Sequence, residues 1–320
     1  MNLHTPERII MQIDSAYLAP PGYTEQLAEE IARQGGHLLF QRGRLFGVKG
    51  LATPLVWAEN TWFEPRFYPV PSIKQGAAAL KALQRNWAYF PTEESGRGKL
   101  IQEALPHVSA KPHVFGTPAP AAPLGSWTMW DKYTLLASAA CQSPFPHGAA
   151  LFDENRVVPP NRAYLKLWEG LTRLGTMPGR GDLCLDLGSS PGGWTWVLAS
   201  LGARVFSVDK APLAPAIARM PQVEYCAGSA FGLDPAIAGR VSWLFCDVAC
   251  YPERLYGMIE RWLERGECDN FFCTIKFAGE TDFAILEKFC AIAGSFAMHL
   301  SVNKHEVTWV RMKREASFAP

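Results

Sequence analysis

From about residue 180 onward, short apolar runs alternate with helix-length segments, and nothing else in the chain restricts the fold as strongly. DLCLDL (182–187), ARVFSV (203–208), VEYC (223–226), VSWLFCD (241–247) and FFCTIK (271–276) read as strands. Near-continuous apolar strands separated by helices call for a parallel sheet covered on both faces, because each crossover lays a helix on the sheet. The end of the chain departs from that rhythm. SFAMHLSV (295–302) and EVTWVRMK (306–313) are separated only by residues 303–305, too few for a crossover, so this pair is expected to form an antiparallel hairpin.

The 320 residues suggest about two domains. With 48% hydrophobic and 19% charged residues, the composition supports a sizeable core and excludes a disordered chain. No run approaches the roughly 18 apolar residues of a membrane span. The start, MNLHTPERIIMQID, lacks the basic, apolar and small-residue pattern of a secretory signal, so a cytoplasmic protein is expected. Thirty-one basic against thirty acidic side chains leave a formal charge of +1. Binding to RNA would therefore need a local patch rather than a global basic excess. The eight cysteines form no C-x-x-C pair and several lie inside apolar runs, which predicts structural thiols and no metal site.

The first half is less regular. RIIMQID reads as a strand, TEQLAEEIARQGG as an amphipathic helix stopped by Gly35 and Gly36, HLLFQRGRLFGVKG as a hairpin and IKQGAAALKALQRN as a second helix. These predict a smaller N-terminal α+β domain over 1–125, ending in the Pro/Ala-rich linker GTPAPAAPLG (116–125). The parallel-sheet domain then covers 126–320, with a lead-in over 126–160.

The most informative stretch is LDLGSSPGGWTW (185–196). A strand ends at Asp186 and Leu187, a glycine-rich turn follows, and a helix opens near Gly192 and Gly193. Backbone N–H groups and a helix N-terminus are thereby brought to the carboxyl edge of the sheet. A dinucleotide site needs G-x-G-x-x-G, but counting from Gly188 puts Ser190 at the second glycine position, so that fingerprint fails. S-adenosyl-L-methionine, with no phosphate, needs instead room for its methionine part and polar partners for its amine and carboxylate. Asp209 ends the second strand, where an acidic residue holds the ribose of an adenosine cofactor. That residue alone does not separate NAD from S-adenosylmethionine.

Further polar residues fall at strand ends: Asp247 after the fourth strand, Lys276 after the fifth and Glu306 at the start of the last. Lys166 lies just ahead of the sheet in NRAYLKLWEGL. Carboxyl ends of neighbouring strands converge on one crevice in such sheets. Two lysines and two carboxylates suit attack by a poor nucleophile such as a ribose 2′-hydroxyl, which must be aligned and lose its proton.

LDLGSSPGGWT, with Lys166, Asp247, Lys276 and Glu306 in that order, resembles the FtsJ-like ribose 2′-O-methyltransferases and their Lys-Asp-Lys-Glu tetrad. SPFPHG (143–148), PPNRAYLKLWEGL (159–171), VFSVDKAPL, WLFCDV, TIKF and HEVTWV extend the resemblance to the RlmM group, which methylates a cytidine 2′-hydroxyl of large-subunit ribosomal RNA. The resemblance covers about the last 180 residues. It implies a Rossmann-like class I methyltransferase fold of the α/β class, S-adenosyl-L-methionine as cofactor and ribosomal RNA as partner. It also implies Lys276 as the central catalytic lysine, supported by Lys166, Asp247 and Glu306. Gly188, Ser190, Gly192, Gly193 and Trp194 would line the methionine end of the cofactor and Asp209 its ribose, with Asp186, Pro191, Ser229 and Asp247 also among the cofactor-binding residues. Ser229 stands where the family commonly has an acidic residue reaching the adenine. PGYTEQLAEEIARQGG resembles the start of the RlmM group, whose N-terminal region includes a THUMP RNA-binding domain, here in a shorter form.

Arg42, Arg44 and Phe46, and Arg66, Phe67 and Tyr68, mix charge with rings as RNA-contact surfaces do. The plainer expectation for both is aromatics in the core and arginines on a solvated face. Trp127 and Trp130 are expected to pack a domain interface. Two other functions use the same fold: a non-catalytic factor that binds cofactor and RNA, and a methyltransferase for a non-RNA acceptor. An intact tetrad argues against both, since better nucleophiles do not call for paired lysines.

Overall fold

The computed structural model describes residues 12–92, 95–109 and 111–313. The chain divides into two compact units, one formed by residues up to 110 with 120–148, the other by 111–119 with 149 onward. The first contains β1 (Ser15–Leu18), α1 (Thr24–Arg33), β2 (His37–Arg42), β3 (Leu45–Lys49), β4 (Asn60–Phe63), β5 (Arg66–Pro69), α2 (Ile73–Leu83), β6 (Trp87–Tyr89), α3 (Ser95–Glu103), β7 (Gly125–Asp131), β8 (Thr134–Ser138) and β9 (Ala140–Cys141). Two sheets result, ordered β2-β3-β1-β4-β9 and β5-β8-β7-β6. This is the expected α+β character with a different boundary. Residues 126–148 are not a lead-in to the second unit, because β7 and β8 pair with β6 and β5 and β9 pairs with β4.

Local signals in this unit explain most of its elements. Gly35 takes φ +79° just after α1, and its N–H donates to the Ala32 carbonyl, closing the helix as the Gly-Gly pair predicts. Ser72 caps α2 by accepting from the Gln75 N–H at 3.2 Å. Of the expected RIIMQID strand, residues 8–11 lie outside the described ones, and the first strand among the described residues begins at Ser15. Trp127 is wholly buried among Leu80, Trp87 and Met129 of the unit's own core, and the half-buried Trp130 packs edge-on against Phe40 and Phe67, so these contacts of both lie within one unit.

Two carboxylates are buried among the described residues of this unit, Glu59 paired with Arg44 and Glu30 without a cationic partner. Glu30, 3% exposed, accepts from the Val56 and Trp57 N–H groups at 2.8 Å each, and burial pushes its carboxyl up to about 7. Glu30→Ala should leave both donors without an acceptor and lower stability by roughly 2–4 kcal/mol, read by urea denaturation. A loss well under 1 kcal/mol would mean that water replaces the carboxylate.

The second unit contains α4 (Tyr164–Leu174), β10 (Leu183–Leu187), α5 (Gly193–Ser200), β11 (Arg204–Asp209), α6 (Pro215–Ala218), β12 (Val223–Ala227), α7 (Pro235–Ala238), β13 (Arg240–Cys246), α8 (Pro252–Arg265), β14 (Glu267–Lys276), α9 (Phe283–Cys290), β15 (Ser295–Met298) and β16 (Glu306–Arg311). It is the Rossmann-like sheet, ordered β12-β11-β10-β13-β14-β16-β15. Pairing is parallel from β12 through β14, and only β16 is reversed. The terminal hairpin forms, but the last strand inserts between β14 and β15. The connection is also longer than the three residues expected. β15 stops at Met298, and in 299–305 the Asn303 N–H turns back to the Leu300 carbonyl while Leu300 sinks into the core.

Candidate active site

Strand order reverses on the two sides of β10, with β11 on one flank and β13 on the other, so the crevice of a doubly wound sheet opens at the carboxyl ends of β10 and β13. A crevice of about 420 Å³ lies there, lined by Gly188, Ser190, Asp209, Lys210, Ser229, Phe231, Asp247, Val248 and Arg254 among others.

The turn after β10 is held from several sides. Gly188 takes φ +81°, and a Cβ there would come within 2.6 Å of the Val248 side chain and 3.0 Å of its backbone nitrogen. Gly192 takes φ +112° with Ile217 close by, and a Cβ at Gly193 would stand 2.1 Å from Asn161 Oδ1. These glycines are required by backbone sign and by close approach. The Ser190–Pro191 peptide is cis. Asp209 Oδ2 accepts from the Ser190 N–H at 3.0 Å and Oδ1 accepts from the Ala211 N–H at 2.9 Å, so one carboxylate spans two turns. Ser190 Oγ donates to the Pro212 carbonyl at 2.9 Å.

Asp186 sits beneath this turn, 1% exposed. Thr195 Oγ1 donates to its Oδ2 at 2.6 Å, and Oδ1 has no hydrogen-bond partner among the described residues. Burial pushes the carboxyl from its ordinary 3.8 up to about 7, with the charges of Asp247 and Asp209 adding to the rise. The folded protein therefore holds this proton where the unfolded chain has lost it. The stability linked to it is complete below about pH 4 and is lost as pH rises through about 7. Asp186→Asn stays neutral throughout. Its stability relative to the parent, by thermal unfolding, should therefore improve between about pH 4 and pH 8; a constant difference would show that the carboxyl is ionised across that range.

The four strand-end and helix residues do meet. Lys166, on the first turn of α4, places Nζ 3.1 and 3.2 Å from the two Asp247 oxygens and 2.7 Å from Glu306 Oε1. Lys276 places Nζ 2.9 Å from Asp247 Oδ1 and 2.8 Å from the Asp247 carbonyl. Glu306 and Lys276 are directly opposed across β14 and β16. Two ammonium groups and two carboxylates thus form a neutral, half-buried cluster. The lysines differ in what remains free. An ammonium has three donors; those of Lys166 point at three carboxylate oxygens, whereas Lys276 has two acceptors among the described residues and one donor to spare. Lys276 is also the more open, 28% exposed against 11% at the side chain.

Two expected residues fall in places that change their part. The Trp194 side chain is 3% exposed, donates through Nε1 to the Ala163 carbonyl and packs edge-on against Phe272, so only its backbone can face the turn. Ser229 lies on the crevice wall, but its Oγ accepts from the Phe231 N–H in a short cap. In the first unit Phe46 is core and Arg44 pairs with Glu59, leaving neither free for a base. The sequence did not single out Asn161, Val248 or the Arg254 guanidinium over the Phe231 ring at 4.0 Å. Their role is set by contacts across the fold, which no local pattern carries.

Residues 159–264 match the family model of the FtsJ-like methyltransferases. Curated relatives named ribosomal RNA large subunit methyltransferase M are similar over various lengths. That of Halorhodospira halophila is 42% identical over 107 residues, 32% of this chain and 31% of the relative. That of Aromatoleum aromaticum is 32% identical over 173 residues, 49% of this chain and 46% of the relative. That of Alkalilimnicola ehrlichii is 31% identical over 250 residues, 71% of this chain and 69% of the relative. The chain thus spans less than half the length of the first two and over two thirds of the third. No helix among the described residues is long and apolar enough to cross a membrane.

Proposed function

We infer that this chain, which belongs to the ribosomal RNA large subunit methyltransferase M family, methylates a ribose 2′-hydroxyl of large-subunit ribosomal RNA, with S-adenosyl-L-methionine as the methyl donor. The observation that carries the reading is the spare donor on Lys276, at the open side of a cluster that otherwise satisfies its own charges.

The residues present fit the cofactor. Asp186 Oδ1 is a buried acceptor without a partner among the described residues, suited to an ammonium group, and Gly188 lines the crevice with no side chain of its own. Gly192, Gly193 and the backbone of Trp194 add the N-terminus of α5 for a carboxylate. Asp209 would hold the ribose while keeping its two turn contacts, since each carboxylate oxygen has a second lone pair. When bound, the cofactor supplies an electrophilic methyl group.

The chain's own part is alignment and proton removal. Lys276 donates its free N–H to the oxygen of the target hydroxyl, or accepts the hydroxyl proton once it is itself neutral. Asp247 holds Lys276 and Lys166 at fixed separation, and Glu306 holds Lys166 from the opposite side, so neither ammonium swings away when RNA arrives. We assign RNA contact outside the crevice to the first unit, where Arg66 is exposed beside the half-buried Phe67 and Tyr68. The same reading puts the protein in the cytoplasm and requires no metal for the transfer.

Labelled methyl from S-adenosylmethionine, offered with ribosomal RNA from cells lacking this protein, tests the reading. Labelled alkali-resistant dinucleotides from the large-subunit RNA are the expected product. Cofactor binding without transfer to any RNA would instead favour a non-catalytic binding factor.

A further inference from the structure

The β15–β16 connection carries Glu306 at its end, and one buried carboxylate ties that connection to the helix bearing Lys166. Glu169 stands one turn beyond Lys166 on α4 and is 1% exposed. Its Oε2 accepts from the Ser301 N–H at 2.9 Å and its Oε1 accepts from the Ser301 hydroxyl at 3.0 Å, while Arg173, one turn further along the helix, balances its charge. Ser301 lies five residues before Glu306. The segment between them is closed on itself: the Asn303 N–H donates to Leu300, the Glu306 N–H donates to Lys304, and His299 Nε2 meets the Lys304 carbonyl. The pairing of β16 with β14 holds the backbone of Glu306 opposite Lys276, and the anchor of this segment on α4 is a second tie, between Glu306 and the helix that carries Lys166.

We propose that Glu169 is a positioning residue, which keeps Glu306 within ion-pair reach of Lys166 by clamping Ser301 to α4. Both ends of the 2.7 Å Lys166–Glu306 contact are then tied to one helix, through the Lys166 side chain directly and, beside the strand pairing of Glu306, through Glu169 and Ser301. A burial of this depth is costly for a carboxylate unless its hydrogen bonds are satisfied, and here both oxygens are used on the connection rather than within the helix alone. The proposal rests on the reading of the tetrad as a methyl-transfer site, and goes further in saying what holds it in register.

Glu169→Gln in the full chain keeps the shape, removes the charge and leaves one oxygen where two accepted. The expected result is a fall in kcat of about tenfold or more, with KM for RNA and affinity for S-adenosylmethionine close to those of the parent. A residue acting through Glu306 should also add nothing once Glu306 is gone, so Glu169→Gln/Glu306→Gln should be no slower than Glu306→Gln alone. Unchanged kcat, or losses that add in the double variant, would overturn the proposal. Should Glu169→Gln not fold, Ser301→Ala removes one of the two bonds, and the same cycle is read with that variant. A crystal structure of the folded variant decides independently of activity. Opening of the Lys166–Glu306 contact beyond about 4 Å is expected, and retention of the contact would sink the idea. An inactive parent chain, by contrast, would count against the functional reading and leave the structural arm to judge the clamp.

Discussion

Lys276→Ala is expected to lower methyl transfer to RNA by about 10²–10⁴-fold while leaving affinity for S-adenosylmethionine nearly unchanged. The split follows from where the side chain points. Both contacts of Lys276 Nζ go to Asp247, one to its carboxylate and one to its carbonyl, and among the described residues none reaches the glycine-rich turn. Truncation therefore removes the group assigned above to the target hydroxyl and leaves the turn after β10 intact. It also leaves Asp247 paired with Lys166, so no carboxylate is stranded and the loss in stability should be small. Single-turnover transfer assays, with cofactor binding followed by calorimetry, read the two quantities separately. Loss of cofactor binding in this variant would move Lys276 from the chemistry to the cofactor site.

Asp209→Ala should do the reverse. One carboxylate accepts from the Ser190 and Ala211 N–H groups and stands at the crevice where a ribose would be held. Charge-assisted hydrogen bonds of this kind contribute about 1.5–3 kcal/mol each, so affinity for S-adenosylmethionine should fall by roughly ten- to a hundredfold, with transfer at saturating cofactor less affected. Asp209→Asn supplies the comparison. Its amide oxygen can serve one turn but not both, so an intermediate loss is expected. Affinity unchanged in both variants would remove Asp209 from the cofactor site.

Much of this site is legible in the sequence because its parts sit at ends of elements that local pattern specifies. The apolar runs at 182–187, 203–208 and 241–247 mark β10, β11 and β13, and the first polar residue at each end is then placed by the length of the strand. Gly188 and Gly192 announce a turn that only positive φ can make. Trp194 shows where this way of reading stops. It follows the turn directly, yet its ring belongs to the core beneath α4, because a helix opening at Gly193 directs successive side chains around its axis and the second faces the sheet. The domain boundary at 125 fails for a related reason. A Pro/Ala-rich stretch signals an irregular segment, but β7 and β8 beyond it pair with β6 and β5 and send Trp127, Met129, Leu135 and Ala137 into the first unit's core.

What the sequence by itself determined is the set of elements and the polar residues at their ends: a largely parallel sheet, a glycine-rich turn after its first strand, and two lysines with two carboxylates in order. Periodicity and backbone sign are local properties, and a single chain carries them openly. Only the tertiary structure decided that β16 enters between β14 and β15, which sets Glu306 opposite Lys276 and within reach of Lys166. It alone decided that Lys166 uses all three donors while Lys276 keeps one, and that Glu169 holds the connection leading to Glu306. Strand partners and hydrogen-bond partners are chosen by the free energy of burying the whole sheet at once, a sum over distant residues that no stretch of sequence contains.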